Sequence, residues 1–344
     1  MNKKLILGKL LILIMLPAFI LTSCNLGSGR KIPVIFDTDA NNEVDDQHAL
    51  AYLLFNGKHF DVEGVTVNAT SAPTGYSDGS DVRDHYEEAK RILQLCGDLY
   101  GKIPLLTGAN GSYEEIKSSI DMPEFDGHEA VDFIIERAMA ERNQKLVLLA
   151  VGKLTNVALA LRKEPAIANN IRIVWLGSNY PEPGEHNQEW DIESMNYILD
   201  VNVPFEMVTV RYGDPSGTSY VIAYKDHIMH RMPGKGPEIE TPVIGRNGGE
   251  FTRWGDYSAH LFDTYSMHGN PPGRALFDMA AVAVVKNENW AESKSIPAPV
   301  YLDNRWVERP NNPREIIVWE WFDIHGILND FFVTMDDFEL VKTK

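Results

Sequence analysis

KIPVIFDTDANNEVDDQHALAYLLF, residues 31–55, joins an apolar β-rich run to a stretch with helical spacing. The joint is DTDANNEVDD (37–46), which holds five acidic side chains in ten positions. Carboxylates packed this closely repel one another unless something positive sits among them. A strand that ends in such a loop and runs straight into a helix also sets the fold class, because the same alternation continues. VEGVTVNA reads as a strand, DVRDHYEEAKRILQLCGDLY as an amphipathic helix and GKIPLLTG as a short strand. AVDFIIERAMAERN, LTNVALALRKEP and SMNYILDVN read as helices, separated by the strands QKLVLLAVG, IRIVWLGS and VPFEMVTV. Strands alternating with helices predict an α/β fold, with a mostly parallel, mixed central sheet covered by helices on both faces.

The rest of the chain is less regular. Residues 222–273 are Gly/Pro-rich and are expected to carry helices and a mobile loop over the site. ALFDMAAVAVV restores a helix. From Ala298 onward PVYLDNRW, REIIVWEWF and DFFVTM alternate apolar and polar residues, which predicts a short β-rich C-terminal tail. In open α/β sheets ligands bind outside the carboxyl ends of the strands. The acidic loop, Gly152–Asn156 after KLVLLAV, and Asn179 with Glu185–Asn187 after RIVWLGS are therefore expected to converge.

The chain has 344 residues. MNKK followed by LILGKLLILIMLPAFI and Leu21-Thr22-Ser23-Cys24 has the layout of a secretory signal. The apolar run is interrupted by Lys9 and is short for a membrane span. The segment is similar to the lipobox of bacterial lipoproteins, which implies lipid on Cys24 and membrane attachment through that lipid alone. The expected organisation is a signal at 1–23, a tether at 24–30 and a single domain at 31–344. The protein would then be exported and held at the bacterial cell envelope. Thirty-two Lys and Arg face 49 Asp and Glu, a net charge of −17. A chain this acidic is a poor partner for a nucleic-acid backbone. Only Cys24 and Cys96 are present, so no disulfide framework is available, and Cys96 in RILQLCGDLY reads as a core thiol.

Three readings of the acidic loop compete. Asp45 and Asp46 could cap and polarise the helix that starts near Gln47. A calcium loop of the EF-hand type would need a central Gly and a helix on each side, and here there is no Gly and a strand precedes. A hard-cation site at a strand end, completed from other strand ends, accounts for five acids and two Asn with no His or Cys among them. Oxygen-only donors favour calcium or magnesium over zinc.

DTD…DD at the end of a first strand resembles the nucleoside hydrolases of the inosine–uridine-preferring group. VLLAVGKLTNVALALRKEP is similar to that family's Gly-x-Leu-Thr-Asn segment. WLGSNYPEPGEHNQEWDIESMNYIL is similar to its Gly-Gly…Asn…Glu-x-Asn…Asp-Pro-Glu-Ala segment, and LFDMAAVAVV to its late His-Asp-Pro segment. The resemblance implies a Rossmann-like nucleoside hydrolase fold and calcium-dependent hydrolysis of ribonucleosides by an activated water. It implies Asp39, Asp46, the Val151 carbonyl and Asp278 as calcium ligands, with Asp39 also the catalytic base. It implies Asp45, Asn41, Asn179, Glu185 and Asn187 around the ribose. Asn68 is a weaker match.

Two departures bear on substrate. Asp39 and Asp45 are separated by two more residues than in the family pattern, and ANNEV replaces a Pro-Gly turn. Glu43 is an extra acid, either solvent-facing or supporting the site. Phe277 stands where many members carry His; the resemblance implies stacking on a purine in place of proton donation to the leaving base, and a core Phe in an apolar helix is the alternative. His268, His260 and Arg274 are further candidates for base contact. A glycosidase acting on another ribosyl or sugar compound, and a lipoprotein that binds nucleosides or sugars without turnover, remain open, as does assembly into a homo-oligomer.

Overall fold

In the computed structural model, which describes residues 30–70 and 81–343, β1 (Ile32–Thr38) runs buried through the centre of the molecule. α1 (Asp45–Leu54) follows the acidic loop. Then come β2 (Phe60–Val67), α2 (Val82–Leu95), β3 (Leu105–Thr107), α3 (Tyr113–Ile116), α4 (His128–Met139), β4 (Leu146–Ala150), α5 (Thr155–Lys163) and β5 (Ile171–Leu176). The second half contains α6 (His186–Trp190), α7 (Ile192–Asp200), β6 (Phe205–Val208), β7 (Ile222–Tyr224), α8 (Lys225–Arg231), β8 (Val243–Ile244), β9 (Glu250–Phe251), α9 (Trp254–Thr264) and β10 (Gly273–Ala275). It ends with α10 (Phe277–Lys286), β11 (Glu292–Pro297), β12 (Val300–Leu302), β13 (Arg305–Val307), β14 (Glu315–Glu320) and α11 (Ile324–Asp336). Residues Lys31–Lys344 form one compact unit. The signal reading, Cys24 and nearly all of the tether lie outside the described residues. Among the described residues no helix is long and apolar enough to cross a membrane.

The main sheet has the order β11-β14-β6-β5-β4-β1-β2-β3. Every pairing is parallel except β11 with β14. Period-two alternation sends successive side chains to opposite faces. Val34, Phe36, Val147, Leu149 and Val174 join a core with α1, α2, α10 and α11. Ile35, Leu146, Leu148, Ile173 and Trp175 join a second core with α4, α5 and α7. Both faces are therefore covered, as expected for a parallel sheet.

The tail differs from its reading. β14 joins the main sheet beside β6, but DFFVTM lies in α11. Ile327, Phe331 and Met335 recur at helical spacing and are buried, and this period outweighs the short-range alternation. The 222–273 stretch contains the expected helices. It carries α8, α9, the β8–β9 ladder and β7, which pairs antiparallel with β10.

Chain order reverses at β1, which lies between β4 on one side and β2 on the other. This is the switch point of an open α/β sheet, where a crevice opens at the strand ends. Asp37 holds the crevice floor together. Its carboxylate accepts from Thr66 Oγ1 (2.6 Å), Asn68 Nδ2 (2.6 Å) and Asn156 Nδ2 (2.7 Å), so β1, the end of β2 and α5 meet at one group. Burial pushes its pKa up to about 6, against the downward pull of these bonds. Replacing Asp37 with Ala leaves those donors buried and unpaired. We expect a loss of roughly 3 kcal/mol or more in urea unfolding. A change under about 1 kcal/mol would contradict the hub role.

Candidate functional site

Two helix N-termini meet above the switch point. Asp45 and Asp46 open α1, and Phe277 and Asp278 open α10, which packs against α1. Helix N-termini favour negative charge. These acids are nonetheless buried, with Asp45 at 5% and Asp46 and Asp278 at 2% exposure, so a solvated cap does not describe them. The α1 N-cap is Val44, which makes no side-chain cap bond. One carboxylate oxygen from each of Asp45, Asp46 and Asp278 lies within 4.8 Å of the others. Thr38 Oγ1 donates to Asp46 Oδ1 at 2.5 Å.

Asp39, at the end of β1, is buried in the same crevice and receives Asn42 Nδ2 at 3.5 Å on Oδ2. Burial, followed by the negative charges of Asp46 and Asp45, holds its pKa well above the carboxylate range. Asp45 is raised by burial and then by Glu43, and Asp278 by burial and then by Asp45. Asp46 is pushed up to about 6 by burial, against the Thr38 bond.

The facing wall comes from β4, β5 and the turn after β5. Asn187 Nδ2 donates to the carbonyls of Val151 (2.8 Å) and Leu176 (3.0 Å). Glu185 caps α6 through the amides of Asn187 (3.1 Å) and Gln188 (2.9 Å) and also takes the Ser178 amide (2.8 Å). Three amide donors fix this carboxylate rigidly, while burial raises its pKa. Ser178 itself has φ +77°, where the resembling pattern carries Gly. Such strain is common at functional turns. Gly152 is required at the floor, because a Cβ there would meet Asn68 Oδ1 at 2.8 Å and Asp39 Oδ1 at 3.0 Å.

The resulting cavity has a volume of about 490 Å³. Of the sequence candidates, Asp39, Asp45, Asp46, Val151, Glu185, Asn187, His268, Phe277 and Asp278 line it, as do Glu43 and Arg274. Three candidates are placed elsewhere. Asn41 is in the turn, where its amide donates to His85 Nδ1 at 3.0 Å and Asn42 takes the lining position. Asn179 spends its carboxamide on Pro183 O (2.9 Å) and the Tyr212 amide (2.7 Å). His260 lies on α9 against Phe251, ring centres 5.0 Å apart. Sequence reasoning gave Asp37 and His186 no individual role and passed over Tyr212 and Tyr224. Tyr212 follows the end of β6 and stands edge-on to Phe277 at 6.1 Å; inspecting that strand end as well would have found it.

The donor set suits a hard divalent cation. It is all oxygen, it is buried, its acids are raised in pKa, and Asn68 Oδ1 is a buried acceptor without a partner. Asp45, Asp46 and Asp278 form the tightest trio, with Asp39 and the Val151 carbonyl on the adjoining strand ends.

Residues 34–316 match the family model described as inosine-uridine preferring nucleoside hydrolase. An uncharacterized protein of Schizosaccharomyces pombe is 26% identical over 253 residues, covering 67% of this chain and 77% of that one. Among solved structures, a plant nucleoside hydrolase superposes with a TM-score of 0.68 at 16% identity, covering 90% of this chain and all of that one. The purine-preferring ribonucleoside hydrolase of Gardnerella vaginalis superposes with a TM-score of 0.65 at 19% identity, covering 88% and 98%. The mostly parallel sheet covered by helices matches the fold of these neighbours, and the family match spans most of the chain. The chain therefore belongs to the inosine-uridine preferring nucleoside hydrolase family and is a hydrolase of N-glycosyl bonds.

Proposed function

We propose that the protein hydrolyses the N-glycosidic bond of ribonucleosides, with a leaning toward purines and a requirement for calcium. The observation that carries this reading is the cavity itself. Its lining brings buried carboxylates together with an aromatic side formed by Phe277, Tyr212 and Tyr224, of which Tyr212 stands edge-on to Phe277. Asp45, Asp46, Asp278, Asp39 and the Val151 carbonyl would hold the ion. A bound calcium ion supplies Lewis acidity that makes water nucleophilic near neutral pH. Asp39, buried at the end of β1 in the cavity lining, is placed to take the proton of the attacking water. Asp45, Glu185 and Asn187 offer acceptors to the sugar hydroxyls, and their fixed positions favour an oxocarbenium-like transition state. The aromatic side gives the departing base a stacking surface, which substitutes for the missing His at Phe277.

Free base and reducing sugar should be released from a panel of purine and pyrimidine ribonucleosides, and release should stop with a chelator. Asp39→Ala should lower kcat by about 10²–10⁴-fold. Phe277→Ala should weaken purine turnover roughly threefold to tenfold more than pyrimidine turnover. Turnover that survives complete calcium removal defeats the calcium requirement, and ligand binding with no turnover favours a binding protein.

The buried acids also predict a pH dependence. Groups with pKa values raised on folding bind protons more tightly in the native state. Their stabilising effect is present at acid pH and is lost as pH rises through the folded value, about 6 for Asp46. Without the ion, the melting temperature should fall between about pH 5 and pH 8, and added calcium should recover more at the upper end. A calcium-induced shift of equal size at both pH values contradicts this.

We propose further that Cys24 carries the lipid that attaches the exported protein to the envelope, a reading supported by the sequence of residues 1–24. Metabolic labelling with a radioactive fatty acid should mark the wild type and not Cys24→Ala. Label retained in the variant rules it out.

A further inference from the structure

The two-residue extension between Asp39 and Asp45 is a rigid element. The Asn41 amide donates to His85, and the Asn42 amide donates to the Asp39 carbonyl at 2.9 Å. Arg246 reaches across to the carbonyls of Asn41 (3.1 Å) and Glu43 (2.6 Å). Gln47 Nε2 bonds the Glu43 carbonyl as well, at 3.3 Å, and His48 Nδ1 donates to the Val44 carbonyl at 2.5 Å. The chain of this turn is thus held from α1, α2 and the 222–273 segment.

Glu43 projects from this fixed turn into the cavity lining, where Arg274 lies beside it. Arg274 Nε donates to Glu43 Oε2 at 3.0 Å, and Nη2 pairs with the same oxygen. Among the described residues no hydrogen bond is recorded to Oε1. The guanidinium is itself fixed, with Tyr265 5.0 Å from its centre and the Ser266 carbonyl 3.5 Å from Nη1. A purely structural staple between Arg and a carboxylate commonly uses both oxygens in a fork. Here both donors converge on Oε2 of a side chain that lines the cavity, and Oε1 is left without a protein donor among the described residues. A carboxylate oxygen that lines a cavity without a protein donor calls for one. Sugar hydroxyls donate; a phosphate does not, and would be repelled by the surrounding acids.

We propose that Glu43 determines substrate specificity by contact, its Oε1 accepting a hydrogen bond from one hydroxyl of the sugar, and that Arg274 is the residue that positions it. The proposal rests on the ribonucleoside reading above and adds a contact made by the part of the loop that departs from the family pattern.

The test pairs mutation with removal of single hydroxyls. kcat/KM is measured for wild type, Glu43→Ala and Glu43→Gln on inosine and on its 2′-, 3′- and 5′-deoxy analogues. Where an analogue turns over too slowly, its inhibition constant against inosine is used. Glu43→Ala should lose about tenfold to a hundredfold on inosine. The loss should shrink to within roughly threefold on the one analogue that lacks the contacted hydroxyl. Arg274→Lys keeps the charge but breaks the two-point hold, so it should give the same analogue-selective pattern at smaller size. It carries the test alone if the Glu43 variants do not fold. An equal loss on all four compounds overturns the proposal. Wild type inactive on the whole panel overturns the ribonucleoside reading, and the proposal with it.

Discussion

Like charges in a low-dielectric crevice repel strongly, and this repulsion governs the molecule's centre. Asp39, Asp45, Asp46 and Asp278 are all nearly inaccessible, and each has a pKa raised by burial and by its neighbours. Such a group exists only if protons or a cation offset it and if the surrounding frame cannot relax apart. The frame is the eight-stranded sheet, with hydrophobic cores on both faces, and the Asp37 hub beneath the crevice. Apolar packing elsewhere in the fold is what keeps these mutually repelling groups together.

Arginine answers the repulsion at the rim. Arg246 and Arg274 both pack on Tyr265, at 5.5 and 5.0 Å, and both turn toward the ANNEV loop. One binds main-chain carbonyls and the other binds the Glu43 carboxylate. The added acid therefore has a partner, and the longer turn is anchored through both its main chain and its side chain.

Much of this was legible in the chain, and the limits have physical causes. The strands β1, β4 and β5 announce themselves as apolar runs because both of their faces are buried. The rule that ligands gather at strand ends led directly to the acidic loop and to Glu185 and Asn187, while Val151 came from the family resemblance. What failed were residues whose role depends on direction. Asn41 and Asn42 are equivalent in the sequence, and only the backbone path of the turn sends one toward His85 and the other toward the cavity. Asn179 sits at a strand end as expected, but a left-handed Ser178 turns the chain, so that its amide meets the Tyr212 backbone. Tyr212 and Arg246 come from irregular segments that carry no periodic signal. The helix α11 was hidden because its aromatic residues also satisfy a short alternation.

The buried acids come from positions 39, 45, 46 and 278, so nearly the whole chain must be in place before they meet. Closing a loop of that length costs conformational entropy before any contact repays it. The crevice is complete only when residues 39–46 and residue 278 have been brought together, and a chain in which they are apart offers no comparable nest for an ion. A cation that fits it then acts as a gauge of completed folding. Such an ion would bind the folded molecule and raise its stability in proportion to the logarithm of the ion concentration around it.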